Sequence, residues 1–208
     1  MSGLALTHII PIQELTPGQV GKIRNDAIEG TVAMASKELN LPRERLVVRD
    51  VRPVADLAMY SILTTASTVE WWYYSLTADA VGWTAVSPTT GTMGDNKFVC
   101  LFGIRDLSTH VGHSSMAATA TTASRNDGWP VISMVKLNVG GSDKVTWDAC
   151  GLRGYSDHVG FTPSAVIIPQ NTSFVIYYYQ EEKNATALTT FFQLIGVTVE
   201  PRGLTISP

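Results

Sequence analysis

Four histidines and a few acidic residues supply the side chains of this 208-residue chain that could bind a metal ion or transfer a proton. His110 and His113 are close to Asp106, so the three side chains could share a metal ion on a turn. No third nitrogen or sulfur ligand stands at the spacing typical of zinc sites. His158 could add a third histidine, but Gly112 between the first two favours a loop over the strand that such a ligand set needs. We therefore expect no metal and no other cofactor.

Catalytic patterns are equally incomplete. The segment Gly112–Met116 has a serine at its centre, but Met116 stands where a nucleophile elbow needs a second glycine. Ser156, Asp157 and His158 are consecutive, and adjacent residues cannot orient one another as nucleophile, base and orienter. The acidic pair Glu181–Glu182 lies in a polar segment, where solvation does not raise a carboxyl pKa. The sequence predicts no catalytic, cofactor-binding or metal-binding residue, and a protein that is not an enzyme.

The composition is that of a folded protein with an unusual surface. Hydrophobic residues make up 45% of the chain, which is enough for a core, whereas charged residues make up 16% against roughly 25% in average soluble proteins. Interface cores are depleted in Lys, Glu and Asp, so one interpretation is burial against other subunits. The alternative is a small β protein with a Ser/Thr-rich exterior. The net charge of −3 argues against strong nucleic-acid binding.

Cysteines and hydropathy indicate an intracellular origin. Cys100 and Cys150 have apolar neighbours and are predicted to be buried free thiols. The N-terminus lacks the basic and apolar regions of a signal peptide, and no apolar run approaches the roughly 20 residues of a membrane span. We expect the protein to be made and assembled in a cytoplasm.

A helix is predicted over residues 17–39. Thr16 is a suitable N-cap for a helix that begins at Pro17, and Gln19 completes a capping box. Apolar residues continue at helical spacing, and Asn40 is a suitable left-handed terminator. Since the helix is apolar on one side only, it should dock on another element.

The arginines that follow the helix alternate with acidic residues; they are Arg43, Arg45, Arg49 and Arg52. One interpretation is a basic patch for phosphate or lipid headgroups. The favoured interpretation is a short strand or turn whose charges pair with one another, because Glu44 and Asp50 are close by.

From Val54 onward, short apolar runs alternate with turn residues, which predicts an all-β sandwich or barrel. The predicted strands are Leu57–Leu63, Thr68–Leu76, Gly82–Val86, Lys97–Arg105, Val131–Asn138, Lys144–Trp147, Ala165–Ile168, Ser173–Gln180, Ala187–Val199 and Leu204–Ile206.

The two longest strands, Ser173–Gln180 and Ala187–Val199, are separated by a short acidic segment, which predicts an antiparallel hairpin. Both faces of the second strand carry large apolar groups, so we expect it to be covered on both sides. The segment Leu107–Trp129 fits neither a strand nor a tight turn and is predicted to be a long loop or surface contact.

Aromatic residues fall on both faces of the predicted sheets. Trp71 and Trp72 lie in one predicted strand and Tyr177–Tyr179 lie in another. Rings that face away from the core could stack on sugars or fill a subunit interface. The low charge favours the interface.

From residue 54 to residue 208 the chain resembles a single jelly roll, similar to the coat proteins of icosahedral viruses. It is most similar to the upright jelly rolls of membrane-containing bacterial and archaeal DNA viruses. The segments that carry the resemblance are Ser164–Ile168, Asn171–Gln180, Leu188–Val199 and Glu200–Gly203. The chain departs from small RNA-virus coats because a capped helix stands where those have an Arg/Lys-rich arm. The resemblance implies a helix packed beneath the sandwich, towards an internal membrane or a neighbouring capsomer.

We therefore predict a jelly-roll β-sandwich over residues 54–208, preceded by a helical extension over residues 1–53. The predicted function is structural: self-assembly into a viral capsid shell or capsomer of a virion. The expected partners are copies of the chain, other capsid subunits, and an internal membrane or a membrane-associated virion protein. One alternative is a carbohydrate-binding sandwich that uses Trp71, Trp72, Trp83 or Trp129. A second is a cupin-type metalloenzyme that uses His110, His113 and His158.

Overall fold

The structure is a computed structural model that describes residues 9–52, 56–57, 74–75, 82–85, 91–106, 134–149, 151–152, 158–180, 189–190 and 192–203. One α-helix, α1, spans Pro17–Leu39, and short 3-10 helices span Ile12–Glu14 and Arg43–Arg45. The strands are β1 Ile10–Pro11, β2 Leu46–Asp50, β3 Tyr74–Ser75, β4 Gly82–Ala85, β5 Gly91–Thr92, β6 Phe98–Asp106, β7 Met134–Val139, β8 Ser142–Asp148, β9 Val159–Ile168, β10 Ser173–Gln180, β11 Thr189–Thr190 and β12 Phe192–Pro201.

The strands form two antiparallel five-stranded sheets and one two-stranded ladder. The first sheet has the order β1-β9-β6-β12-β2, and the second has the order β4-β10-β7-β8 with β5 paired to β10. The ladder joins β3 to β11. The expected all-β sandwich with a helix is therefore confirmed at the level of two antiparallel sheets.

The sandwich core lies between the two sheets. Inward-facing residues of the first sheet include Val99, Leu101 and Leu194, and they join one buried cluster with residues of the second sheet such as Ile176 and Trp147. Apolar side chains that alternate along β7 and β10 supply further members of this cluster, because every second residue of a strand faces the same side.

Helix α1 has the predicted bounds and caps. The Thr16 hydroxyl accepts a hydrogen bond from the Gln19 backbone N–H at 3.3 Å, and the Gln19 side chain accepts one from the Thr16 N–H at 2.8 Å. Asn40 ends the helix in the left-handed conformation, with φ 52° and ψ 41°. Each of these contacts satisfies a backbone group that the helix itself leaves unpaired.

The helix covers the outer face of the first sheet. Ala27 packs with Cys100, Phe102 and Val197 of β6 and β12, and a second cluster joins Ala35 of the helix to other residues of the same sheet. Strand β12 is thus covered on both faces, as predicted. The N-terminal segment also contributes β1 and β2 to this sheet.

The predicted hairpin between residues 173–180 and 187–199 is wrong. Strand β10 pairs with β4, β5 and β7, whereas β12 pairs with β6 and β2 in the other sheet. The reason is that β12 needs apolar cover from both α1 and the core, and the centre of the helix-covered sheet supplies both. Strands β10 and β12 therefore lie in different sheets although they are close in the sequence.

The other strand predictions have mixed outcomes. The strands predicted within residues 82–86, 97–105, 131–138, 144–147 and 173–180 are confirmed, and the one predicted at Ala165–Ile168 begins earlier, at Val159. Asp56 and Leu57 are helical, so a strand does not begin at Leu57. The predictions at residues 58–63 and 204–206, and the loop at residues 107–129, lie outside the described residues.

Candidate functional site

Most of the predicted site residues lie outside the described part of the chain. These are His110 and His113, Trp71, Trp72 and Trp129, and the acidic pair Glu181–Glu182. His158 is described; it precedes β9 with a φ of 50°. Among the described residues there is no group of three or more His, Cys, Asp or Glu side chains that could hold a metal ion. The structure therefore does not test the cupin-type alternative, two of whose three histidines lie outside the described residues.

The basic segment contains a strand, and its ion pairs are made with other parts of the chain. Leu46–Asp50 forms β2, which confirms the strand of the favoured interpretation, whereas the ion pairs found in the described residues do not join the charges of the segment to one another. The Arg43 guanidinium contacts Glu29 of α1 at 2.8 Å, and Arg24 of α1 contacts Asp50 at 3.4 Å. The pairs that involve Arg43 and Asp50 therefore join the segment to the helix.

A buried carboxylate, Asp56, lies at the centre of the densest polar cluster in the described structure. Its side chain is 0% exposed and accepts hydrogen bonds from Arg49 Nη1 at 2.6 Å and from Arg49 Nη2 at 2.8 Å. The Arg52 backbone N–H donates at 2.7 Å, the Thr198 hydroxyl donates at 2.9 Å, and Lys97 Nζ lies 3.0 Å away. Glu200 completes the cluster, since its carboxylate accepts from Arg49 Nε at 3.0 Å. We call these residues the Asp56 cluster.

The electrostatics keep the Asp56 carboxyl charged. Burial alone would raise its pKa, but hydrogen bonds from Arg49, from the Arg52 N–H and from Lys97 together lower it to about 2. The bond to Asp56 also raises the pKa of Arg49. A carboxylate with five donors at its two oxygens has neither a proton to give nor a vacant position for a substrate. The cluster is therefore a structural link between β2, β12 and Lys97, which immediately precedes β6.

The outer face of the second sheet, which points away from the core, carries a mixed aromatic and polar surface. Its residues are those that alternate with the buried ones along β4, β7 and β10; they are Trp83, Ala85, Met134, Lys136, Asn138, Val175, Tyr177 and Tyr179. We call this set the outer aromatic face. Trp83 is the one candidate sugar-binding tryptophan that the structure describes.

Three rings and one ammonium group meet on this face. The Trp83 and Tyr179 rings pack edge to face with centroids 5.2 Å apart. Lys136 Nζ lies 4.5 Å from the Trp83 ring centroid and 4.9 Å from that of Tyr177. Cation–π attraction of this kind holds rings and ammonium in a fixed relation. Residues 175, 177 and 179 alternate with buried residues along β10. This alternation is the sequence signal that could have predicted which rings lie on the outer face.

A carboxylate from the β8 strand completes the group. Asp143 contacts Lys136 Nζ at 3.1 Å and accepts a hydrogen bond from Asn138 Nδ2 at 2.7 Å. The Asn138 bond lowers the pKa of Asp143, and the Lys136 charge acts in the same direction. This pairing joins opposite charges, so the group has no net charge at neutral pH.

Cys100 is the described cysteine, and it is free and buried, as predicted. It lies beneath α1, where burial raises its thiol pKa to about 11 despite a hydrogen bond with Thr31. A thiol of this kind is not a nucleophile at neutral pH. Cys150 lies outside the described residues.

Comparisons with protein-family models, with curated proteins and with solved structures give no match. Over the described residues, no helix combines the length and the apolar character needed to cross a bilayer.

Proposed function

We propose that the sandwich is a jelly roll and that the chain is a structural subunit of a virion shell or capsomer. The observation that carries the proposal is the pairing of the eight longer strands, counted in chain order as β2, β4, β6, β7, β8, β9, β10 and β12. The first pairs with the eighth, the second with the seventh, the third with the sixth and the fourth with the fifth.

These four antiparallel pairs are what a single long ribbon gives when it is wrapped into two sheets. Wrapping then brings the eighth strand beside the third and the seventh beside the fourth, as in the β12–β6 and β10–β7 ladders. This order is the arrangement of jelly rolls, a fold shared by capsid proteins, lectins and cupins.

Composition favours the capsid among these three classes. Charged residues are 16% of the chain, and a surface that is buried between subunits is poor in Lys, Glu and Asp. The exposed side of α1 carries residues of both signs, including Lys22, Asp26, Glu29 and Lys37. Such a charged surface is unsuited to insertion into a membrane interior.

The test is the native mass of the purified protein, measured by light scattering behind a sizing column over a range of protein concentrations. Negative-stain images of the same peak distinguish closed particles or rings from disordered aggregates. We expect discrete pentamers, hexamers, trimers or particles that dissociate reversibly on dilution. A 22.5 kDa monomer at every concentration would contradict the proposal.

A further inference from the structure

The pairing of β4, β10 and β7 determines which residues of the outer aromatic face lie side by side. Trp83, Tyr179 and Met134 lie in register across β4, β10 and β7, and the next row on the same face contains Ala85, Tyr177 and Lys136. Because strands in a sheet are about 4.8 Å apart, the two rows place the rings side by side over a surface of a few strand widths. The apolar part of this surface lies towards β4.

The polar part lies towards β8. The Lys136 side chain is 12% exposed, whereas the Asp143 side chain is 26% exposed, so the carboxylate is the more accessible of the pair. Asn138 holds Asp143 from the other side. Aromatic rings therefore border a carboxylate and an amide that are already fixed in place.

We propose that the outer aromatic face binds a neutral saccharide. A sugar ring has an apolar C–H face, which suits the partly exposed rings of Trp83 and Tyr177, and a rim of hydroxyl groups that require hydrogen-bonding partners. Asp143 accepts hydrogen bonds from hydroxyl groups, and the amide of Asn138 can both donate and accept them. The inference does not depend on assembly of the chain into a shell.

The exposed charge on this face favours neutral saccharides over acidic ones. The carboxylate of an acidic sugar would meet Asp143 before Lys136, because Asp143 is the more exposed group. Like charges at close range repel, so uronic acids and sialic acids are disfavoured. Lys136 acts as a positioning residue, since its ammonium contacts two rings and the carboxylate at once.

The first experiment is a glycan array with the intact chain. It carries neutral oligosaccharides of glucose, galactose, mannose and N-acetylglucosamine beside acidic ones with sialic or uronic acids. The strongest neutral glycan is then titrated by calorimetry into the wild type and into Trp83→Ala, Asp143→Ala, Lys136→Met and Lys136→Arg.

We expect the first three variants to bind at least about tenfold more weakly, equivalent to about 1.4 kcal/mol. Lys136→Arg should retain most of the affinity, because arginine keeps both the cation–π contact and the ion pair. The matched control is Lys22→Met on the exposed side of α1, which removes the same charge far from the face and should bind like the wild type. Asp143→Ala lies at a solvent-accessible position, so it tests the site even where Trp83→Ala lowers stability.

Four results would overturn the proposal. They are the absence of binding to every neutral glycan, a preference for acidic glycans, neutral binding that Trp83→Ala and Asp143→Ala leave unchanged, and a loss of self-association in these variants without any saccharide binding. The last result would assign the outer aromatic face to a contact between copies of the chain. Light scattering of the wild type and of each variant distinguishes this result from failure of the assembly proposal. In the first case the wild type associates and the variants do not, whereas in the second case the wild type itself does not associate.

Discussion

The Asp56→Asn substitution should destabilise the folded protein by about 3–5 kcal/mol, the usual cost of removing one partner from a buried charge pair. The amide nitrogen of asparagine must replace one carboxylate oxygen. Oδ2 accepts three hydrogen bonds and Oδ1 accepts from Arg49 Nη2 and from Lys97, so the nitrogen is best placed at Oδ1. There it faces two cationic donors.

The hydrogen bonds of Asp56 give a similar estimate of the loss in folding free energy. Two hydrogen bonds to charged groups are lost at Oδ1, and each contributes about 1.5–3 kcal/mol. The loss is limited because Arg49 keeps its bonds to Glu200. Equilibrium urea denaturation, followed by circular dichroism at neutral pH, measures the free energy of unfolding and its slope on denaturant.

The matched control is Asp50→Asn, the same chemical change at an ion pair in which the Asp50 side chain is 84% exposed. Exposed pairs contribute little, so the control should change the free energy of unfolding by less than about 1 kcal/mol. If Asp56→Asn also costs less than about 1 kcal/mol with an unchanged denaturant slope, the reasoning from burial is refuted.

The pH dependence provides an independent check on the same carboxyl. Its pKa is lowered from 3.8 to about 2 in the folded protein, so its charge stabilises the fold above pH 3.8 by about 2 kcal/mol. That contribution is lost as the pH falls from about 4 to about 2. The difference in stability between wild type and Asp56→Asn should therefore narrow across this interval, and a constant difference would argue against the assigned pKa.

Three further predictions concern the first sheet and its helix. Gly196→Ala should cost about 3 kcal/mol or more in urea denaturation, because its Cβ would overlap the Cys100 carbonyl oxygen at a β-bulge; a neutral result would mean that the strands separate easily there. Gly30→Ala should raise the free energy of unfolding by about 1 kcal/mol, because its Cβ meets open space on the exposed side of α1; a decrease in melting temperature would show that this side is not open. Cys100 should react with a thiol reagent only after unfolding, which absorbance measurements with and without urea can follow; rapid labelling of the Cys150→Ser variant in native buffer would contradict its burial beneath the helix.

Local signals in the sequence predicted local structure well. The Thr16–Gln19 capping box and Asn40 give both ends of α1, because a helix cap involves residues within a few positions of each other. The apolar faces of β12 likewise indicated cover on both sides. These features need no knowledge of distant parts of the chain.

Strand pairing and the Asp56 cluster could not be predicted in the same way. Strand β12 pairs with β2, whose residues are about 150 positions away in the sequence, and two adjacent apolar strands look alike whether they form a hairpin or cross between sheets. Asp56 binds Thr198, 142 positions away, so nothing near Asp56 in the sequence marks it as buried. The outer aromatic face could be predicted only in part. Alternation along a strand places the rings on one face, but the contact between Lys136 and Asp143 depends on the β7–β8 register.

The pairing of β2 with β12 has a consequence for biosynthesis. Strand β12 lies between β6 and β2, so until residues 192–201 have left the ribosome β2 has no partner in the first sheet and β6 is an edge strand. Helix α1 meanwhile lacks Val197 and Val199, against which it packs, and Arg49 lacks Glu200. Until β12 has been synthesised, the nascent chain therefore carries unpaired strand edges and a helix whose apolar side is only partly covered, which are features that chaperones bind. Closure of the first sheet must wait for β12, so the yield of folded protein in a cell should depend on protection of the chain until that strand has been synthesised.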